Sequence, residues 1–129
     1  KHFNKYDILF KKYYNKNRTS LFNNTDKLLN WFKKQNNSCY YCKATQKELY
    51  KIVELRNGNL TLNGKTKRSK GTLEIEKKDP SKDYTFANSV LACTFCNNAK
   101  SNLISEIEWK SFFASSMKKY LQNLLKNKI

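Results

Sequence analysis

Four cysteines are the residues of this chain whose spacing best suits metal binding. They form two pairs of identical spacing, Cys39 and Cys42 in SCYYCKA and Cys93 and Cys96 in LACTFCNN. A gap of two residues lets both sulfur atoms of a short turn face one point, and two such turns supply the four thiolates of a structural zinc site. The sequence therefore predicts one zinc ion per chain, which joins segments separated by 50 residues.

Two other states of these cysteines are compatible with the sequence alone, namely two disulfides or free thiols in the core. The chain opens without the apolar segment of a secretion signal, and disulfides persist mainly in oxidising compartments, which argues against the first state. We therefore expect a cytoplasmic protein. The first residue is Lys1 rather than methionine, so the sequence is compatible with a piece of a longer protein.

The charge of the chain points to a polyanionic partner. Its formal net charge is +16, from 26 Lys and Arg against 10 Asp and Glu, and the lysines are spread from Lys1 to Lys128. Such a surface favours nucleic acid first and an anionic membrane second, although an AT-rich genome, whose codons favour Lys and Asn, is an alternative explanation. No apolar run approaches the ~18 residues of a membrane span, so no membrane association is expected. A length of 129 residues with 14% aromatic residues suits one folded domain.

The part of the chain before the first cysteine pair is predicted to be helical. YDILFKKYY has the mixture of apolar and basic residues with which a helix begins. TDKLLNWFKKQ predicts a second helix, with Thr25 as its N-cap and Leu28, Leu29 and Phe32 on one face.

The segment after the first cysteine pair predicts a helix and then a turn. In TQKELYKIVELRNG, Thr45 and Glu48 form a capping box and Gly58 is a natural stop. In LTLNGKTKR, Asn63 and Gly64 lie between short extended runs, which is typical of a hairpin turn.

Two strands and two helices complete the predicted elements. TLEIEKKD alternates apolar and charged residues, so we expect a strand with Leu73 and Ile75 inward, and SVLAC predicts a second strand. NNAKSN is predicted to start a short helix. SEIEWKSFFASSMKKYLQNLLKNK predicts one long closing helix with a capping box of Ser105 and Glu108, and its expected core contacts are Ile107, Phe112, Met117, Tyr120, Leu121 and Leu124.

Residues 73–102, LEIEKKDPSKDYTFANSVLACTFCNNAKSN, thus form a strand–loop–strand–helix unit with a cysteine pair before the helix. This unit resembles the HNH, or ββα-metal, endonucleases, and in particular small zinc-bound HNH enzymes with the pattern LEIDR…GYT…N…LAC..CN..K. The resemblance implies an α+β fold and a single domain over residues 1–129. A helical N-terminal part (1–38) would precede a zinc-stapled ββα-metal core (39–104), and a C-terminal helix (105–129) would follow it.

The resemblance also implies a second metal site. By position in the pattern, Glu76 and Asn97 take the places of the two ligands of a catalytic Mg²⁺ or Mn²⁺. A hard cation prefers such oxygen ligands, and it would stabilise charge on the phosphate and on the leaving oxygen. Asn88 matches the asparagine that steadies the loop, and Lys100 falls where the family has a basic residue near the phosphate.

The chain departs from the pattern at the usual catalytic histidine, where it has Lys77. Its only histidine, His2, is far away in sequence, and we expect a frayed terminus or a tag remnant there. A subgroup of the family has a basic residue at this position and a tyrosine in the loop, which Tyr84 supplies. Our hypothesis is that Tyr84 deprotonates or positions the attacking water while Lys77 contacts the phosphate. A phenol has a pKa of about 10, and Lys77, Lys78, Lys82 and the metal would have to lower it. The alternative is that Tyr84 packs the loop and Lys77 is a solvated charge.

The carboxylate ligand also has competitors. Glu74 lies on the same strand face as Glu76, because side chains repeat every two residues along a strand, and Asp79 lies just beyond. A glutamate in the aspartate position adds one methylene, so a degenerate fold that binds DNA without cleaving it also fits.

The resemblance implies hydrolysis of double-stranded DNA to 5′-phosphate and 3′-hydroxyl ends, in restriction, phage or mobile-element biology, within a bacterial or phage-infected cell. Cutting both strands needs two active sites, from a homodimer or from successive nicks. The expected DNA contacts are Lys65, Lys67, Arg68, Lys70, Lys78 and Lys82. The alternatives are a non-catalytic zinc module that binds DNA or RNA, and a structural or protein-interaction zinc domain, which leaves the charge unexplained.

Overall fold

A computed structural model describes residues 25–62 and 70–126 of the chain. Within these ranges the fold is α+β, as predicted, with five helices and one antiparallel pair of strands. The elements in chain order are α1 (Thr25–Lys34), α2 (Gln46–Leu55), β1 (Glu74–Lys77), β2 (Ser89–Ala92), α3 (Thr94–Lys100), α4 (Glu106–Phe112) and α5 (Ala114–Leu125). The helix predicted at YDILFKKYY and the turn at Asn63 and Gly64 lie outside the described residues. None of the helices in the described ranges combines the length and apolar character that a bilayer crossing requires.

The first two helices form where the sequence predicts them. Helix α1 contains Thr25 as its first residue, and it buries Leu28, Trp31 and Phe32, whereas Leu29 is half-buried. The capping prediction for Thr25 concerns a side chain outside the description. Trp31 and Phe32 follow Leu28 by three and four residues, so the three side chains form one apolar stripe.

Helix α2 begins as predicted and ends at Leu55, three residues before the predicted stop at Gly58. Thr45 and Glu48 form the capping box, in which the Glu48 backbone N–H donates to Thr45 Oγ1 at 3.1 Å and the Thr45 N–H donates to Glu48 Oε1 at 2.9 Å. Beyond the helix, Gly58 has a φ of 94°, a left-handed conformation in which glycine is unstrained. Leu49 and Ile52 are buried beneath the helix.

Strands β1 and β2 form a short hairpin that is buried on both faces. Their register pairs Glu74 with Ala92 and Lys77 with Ser89. Leu73 and Ile75 are buried, as predicted. Glu74 and Glu76 are buried as well, on the opposite face, with relative exposures of 1% and 8%. The alternation of apolar and charged residues in TLEIEKKD predicted only one buried face, so the burial of both faces was not expected.

Helix α3 begins earlier than predicted. It starts at Thr94 rather than at NNAKSN, and Cys93 is its N-cap, whose sulfur accepts a hydrogen bond from the Cys96 N–H at 3.3 Å. The second cysteine pair therefore forms the cap and first turn of the helix. Asn97 and Lys100 follow three residues apart, so they share a face of α3, which lies against β1.

The prediction of one continuous closing helix is wrong. The chain forms α4 and α5 with a break at Phe113, where φ is −125° and ψ is −30°. The capping box of Ser105 and Glu108 is confirmed at the start of α4. Ile107 and Phe112 are not core residues, since their relative exposures are 74% and 72%.

The break changes which residues of the closing segment face the core. The buried side chains are Trp109, Ala114 and Leu121, of which only the last was predicted. Met117 and Leu124 pack partly buried against the core, whereas Tyr120 is exposed at 37%. A break between two short helices rotates one apolar face relative to the other, and the pattern of a straight helix cannot reproduce that.

Candidate metal centres and active site

The four cysteines converge on one point in the core. Their sulfur atoms all lie within 4.8 Å of one another, and the Sγ atoms of Cys42 and Cys93 are 3.7 Å apart. A tetrahedral ion with Zn–S bonds of about 2.3 Å has S–S edges of about 3.8 Å, so this spacing fits a four-thiolate metal site. A disulfide needs about 2.05 Å between sulfurs, and all four cysteines are free.

Burial and the hydrogen bonds among the four thiols shift their pKa values in different directions. At Cys39 burial disfavours the thiolate, but hydrogen bonds from Cys42, Cys93 and Cys96 outweigh it and lower the pKa of Cys39. The same interactions raise the pKa of the Cys93 and Cys96 thiols, first through their hydrogen bonds to Cys39. Without a cation the cluster thus stabilises one thiolate at the expense of its neighbours. Four thiolates together require a positive ion between them.

Backbone hydrogen bonds attach the first cysteine pair to the hairpin. The Tyr40 N–H donates to the Leu91 carbonyl at 2.8 Å, which fixes the turn to β2. The Cys39 N–H donates to the Ala44 carbonyl at 2.8 Å and closes the turn. A metal bound here would hold the turn, β2 and α3 in one arrangement.

Asn97 lies against Glu74, which the sequence analysis treated as a competitor of Glu76. The Asn97 Nδ2 donates to Glu74 Oε1 at 2.6 Å, and the Thr94 hydroxyl lies 3.5 Å from Glu74 Oε2. Glu74 is at the start of β1, opposite the first turn of α3. The structure therefore places a buried carboxylate and an amide side by side.

Glu76 lies one step further along the same strand face, where it meets Lys100. The Lys100 Nζ is 3.8 Å from Glu76 Oε1, and Lys100 has no exposed surface. Lys100 therefore does not reach the surface position from which it would contact a phosphate directly. Glu76 Oε2, Lys100 Nζ and the Tyr41 hydroxyl are buried without a hydrogen-bond partner among the described residues.

Burial makes Glu76 an unusually weak acid. It raises the pKa of Glu76 to about 7, although the charge of Lys100 and the Tyr41 hydroxyl act in the opposite direction. Burial, and then the charge of Glu76, raise the pKa of Tyr41, so that phenol stays protonated. Glu76 keeps one buried carboxylate oxygen without a partner among the described residues, and carboxylate oxygens are ligands that hard cations prefer.

Asn88 is the centre of the loop between the strands. Its Oδ1 accepts from the Asp79 N–H at 3.0 Å, and its Nδ2 donates to the carbonyls of Asp79 at 3.1 Å and Asp83 at 3.0 Å. Its own carbonyl accepts from the Lys78 N–H at 2.7 Å. One side chain thus joins both ends of the loop that carries Tyr84.

Tyr84 and Lys77 lie together, but on a different side of β1 from the carboxylates. The Lys77 Nζ is 4.8 Å from the centre of the Tyr84 ring, and Tyr84 packs partly buried against the core. Strand alternation places Lys77 on the face of Ile75 and not on that of Glu76. The packing that the alternative interpretation of Tyr84 requires is therefore present.

The three predicted DNA contacts that lie within the described residues each have a different partner. Lys78 Nζ lies 5.3 Å from the centre of the Tyr40 ring, Lys82 forms an exposed ion pair with Asp79 at 3.9 Å, and Lys70 Nζ donates to the Gly58 carbonyl at 2.9 Å. Lys65, Lys67, Arg68 and His2 lie outside the described residues.

Two tyrosines of the first cysteine turn were missed by sequence reasoning. Tyr41 lies beside Glu76, and Tyr40 contacts several lysines. The only signal in the sequence is their position between two candidate metal ligands, which does not tell where the rings point.

Comparison with known proteins supports the fold class. No model of a known family and no curated protein matches the chain. Among solved structures, the chain is similar to the rare-cutting HNH restriction endonuclease PacI, for which a mechanism of DNA perturbation is described. The TM-score is 0.62 at 20% sequence identity, over 90% of this chain and 75% of that chain. The predicted resemblance to the HNH endonucleases is thus confirmed for the fold, a ββα unit with a four-cysteine cluster.

Proposed function

We propose that the chain is a metal-dependent endonuclease of the HNH type, which hydrolyses phosphodiester bonds of double-stranded DNA. The observation that carries the proposal is the packing of α3 on β1, which puts Asn97 beside the buried carboxylate of Glu74 and Lys100 beside that of Glu76. The shared fold with an HNH restriction endonuclease and the net charge of +16 support it.

Each chain would hold two different ions. A zinc ion bound by Cys39, Cys42, Cys93 and Cys96 would be structural, because those thiols are buried and leave no open position for a substrate. A magnesium or manganese ion bound through Asn97 and Glu76 would stabilise the negative charge that develops at the phosphate. Glu74 competes with Glu76 for this role because it already contacts Asn97.

The remaining site residues would position groups rather than bind the metal. Lys100 would hold the Glu76 carboxylate in place from below instead of contacting the phosphate, because it has no exposed surface. Asn88 would fix the loop, and Tyr84 would position or deprotonate the attacking water. Lys77, which lies 4.8 Å above the centre of the Tyr84 ring, would contact the phosphate.

A plasmid assay with Mg²⁺ or Mn²⁺, and with EDTA as a blank, tests the activity. We expect nicked or linear DNA with 5′-phosphate ends from the parent protein, and none from Asn97→Ala. Asn98→Ala is the matched control, since Asn98 lies on the same helix but is exposed and bonds only the Thr94 carbonyl, at 2.8 Å, among the described residues. Intact DNA with the parent protein in both metals would refute the proposal.

Three further variants assign the roles. Glu74→Gln and Glu76→Gln differ only in which carboxylate is lost, so the metal concentration needed for half-maximal rate will rise more for the true ligand. Tyr84→Phe keeps the ring under Lys77 and removes the hydroxyl. Parent activity in Tyr84→Phe would exclude Tyr84 as the base.

The order of the products shows how the two strands are cut. Appearance of nicked circles before linear DNA would indicate successive cuts, whereas direct linearisation would indicate a homodimer.

A non-catalytic zinc module that binds nucleic acid is the second candidate. One observation favours it, which is that Lys77 and Tyr84 lie across β1 from the carboxylate face. Retarded but intact DNA in the same assay would support this candidate.

A further inference from the structure

Three lysines from different parts of the fold converge on the ring of Tyr40. The Nζ atoms of Lys43 and Lys78 are each 5.3 Å from the ring centre, and that of Lys110 is 4.0 Å away. Lys43 belongs to the first cysteine turn, Lys78 follows β1, and Lys110 is on α4. We call these three lysines, Tyr40 and its neighbour Glu106 the Tyr40 cluster.

One carboxylate partly balances the three cations. The Tyr40 hydroxyl donates to Glu106 Oε2 at 2.6 Å, and Lys110 Nζ contacts both the Tyr40 hydroxyl and Glu106, the latter at 3.6 Å. The hydrogen bond to Tyr40 raises the pKa of Lys110, and burial, followed by Glu106, raises the pKa of Tyr40. The cluster thus contains three lysines against one glutamate, an excess of two basic residues.

The cluster is an anchored platform rather than a set of independent surface lysines. The Tyr40 backbone N–H is bonded to β2, and Lys43 Nζ donates to the Tyr40 carbonyl at 2.8 Å. An ammonium group has three donors, and a contact with an aromatic face uses none of them fully. Lys43 and Lys110 are exposed and Lys78 is half-buried, so donors remain available to an anion.

The platform also adjoins the candidate active site. The Tyr40 ring packs edge-on against Tyr41 at 5.1 Å, and Tyr41 lies beside Glu76. Lys78 is two residues beyond Glu76 in the chain. An anion bound at the cluster would therefore lie close to, but outside, the proposed catalytic metal.

We propose that the Tyr40 cluster binds backbone phosphates of duplex DNA next to the scissile bond and so sets the position of the duplex on the enzyme. This inference rests on the proposed function for its choice of anion. Three cations around one ring repel one another, and a polyanion relieves that repulsion. Lysine–phosphate contacts carry no sequence information, so the cluster fixes the placement of the duplex and not its sequence.

The salt dependence of DNA binding tests this role. Each phosphate contact contributes a slope of about −0.9 to log K against log salt on duplex DNA. In the triple variant Lys43→Gln, Lys78→Gln, Lys110→Gln we expect the slope to become less negative by about 2 to 3, measured with EDTA present to prevent cleavage. The matched control neutralises Lys33, Lys34 and Lys119, which are exposed on α1 and α5. We expect its slope to change by less than about 1. Equal slopes for the triple variant and the parent, or equal changes in both triple variants, would overturn the inference.

Glu106→Gln provides a test in the opposite direction. This variant removes the one negative charge of the cluster and keeps an oxygen that can accept from Tyr40. We expect tighter DNA binding and a steeper slope, and weaker or unchanged binding would count against the cluster. Anionic phospholipid vesicles and duplex RNA serve as competing ligands, and a cluster dependence seen only with either of them would also overturn the inference.

The two proposals fail separately. If the parent protein binds DNA through the Tyr40 cluster but does not cleave it in Mg²⁺ or Mn²⁺, the nuclease proposal is refuted and the proposed binding surface stands. If the parent protein cleaves DNA and the cluster variants have unchanged salt slopes, only the proposed binding surface is refuted.

Discussion

Replacement of Asn88 by alanine tests whether one side chain holds the loop that carries Tyr84. The variant removes the oxygen that accepts a hydrogen bond from the Asp79 N–H. It also removes the amide nitrogen that donates to the carbonyls of Asp79 and Asp83. The backbone bond between Lys78 and the Asn88 carbonyl is unaffected, so the second strand can still pair with the first. The loss is therefore confined to the side-chain contacts.

The magnitude follows from these three hydrogen bonds. Each contributes roughly 0.5–1.5 kcal/mol net, and water can replace part of the loss because Asn88 is only half-buried. We expect Asn88→Ala to lower the free energy of unfolding by about 1–3 kcal/mol. For a domain of this size that corresponds to a fall in Tm of roughly 4–12 °C.

Thermal unfolding followed by circular dichroism, with zinc present, measures this loss. Asn98→Ala is the control, since it removes one exposed hydrogen bond and places a better helix former in α3, and we expect a change within about 0.5 kcal/mol. Asn88→Asp keeps the acceptor for the Asp79 N–H but turns a carboxylate oxygen towards the carbonyls of Asp79 and Asp83. Because these oxygens repel one another, the variant should destabilise at least as much as the alanine variant. If Asn88→Ala and the control Asn98→Ala have the same melting temperature, other contacts hold the loop and the reasoning is wrong.

Three other perturbations have expected outcomes. Gly71→Ala should lower the free energy of unfolding by about 1–3 kcal/mol more than Gly58→Ala, measured by denaturant unfolding. Both glycines have positive φ, but only at Gly71 would the new methyl group lie 2.8 Å from Val53 Cγ2. Equal losses in the two variants would contradict this. Removal of the metal from the four-cysteine cluster with a strong chelator should cost on the order of 10 kcal/mol and abolish cooperative melting, as elemental analysis and circular dichroism in parallel would record; a sharp transition in metal-free protein would exclude a structural ion. The raised pKa of Glu76 stabilises its protonated form in the folded state, so its contribution is present below about pH 4.5 and is lost as pH rises through about 7. Without Mg²⁺, the stability of the parent relative to Glu76→Gln should therefore fall by up to about 3 kcal/mol from acid to alkaline pH, and parallel profiles would show an ordinary pKa.

Local signals in the sequence predicted where two of the helices, α2 and α4, begin. The capping boxes at Thr45 and Ser105 form as expected, because a cap depends on residues three positions apart and on little else. Within each cysteine pair the short spacing aims both sulfurs in one direction, as predicted, and the sulfurs of both pairs lie within 4.8 Å of one another.

Tertiary packing decided what the sequence could not. The closing segment breaks at Phe113 without a glycine or proline, and this break puts Trp109 rather than Ile107 in the core. A pattern of apolar residues every three or four positions fits either choice. Only the position of the other helices selects between them.

The choice of carboxylate for the proposed magnesium or manganese site is ambiguous for a related reason. Glu74 and Glu76 share a strand face, so the sequence can favour one only through the family pattern. Which carboxylate meets Asn97 depends on where α3 begins, and α3 begins three residues earlier than NNAKSN suggested, because Cys93 acts as its cap.

The polar groups beneath the candidate active site explain why so small a fold would need a structural metal. Glu74, Glu76 and Lys100 are all buried against a hairpin with four residues in each strand. Burial of an ion pair costs several kcal/mol, and a pair 3.8 Å apart with unsatisfied atoms recovers only part of that cost. A four-thiolate ion can contribute on the order of 10 kcal/mol, enough to offset such a site. Because Cys93 and Cys96 also cap and begin the helix that carries Asn97 and Lys100, the same ion that stabilises the fold would determine how those two side chains face β1.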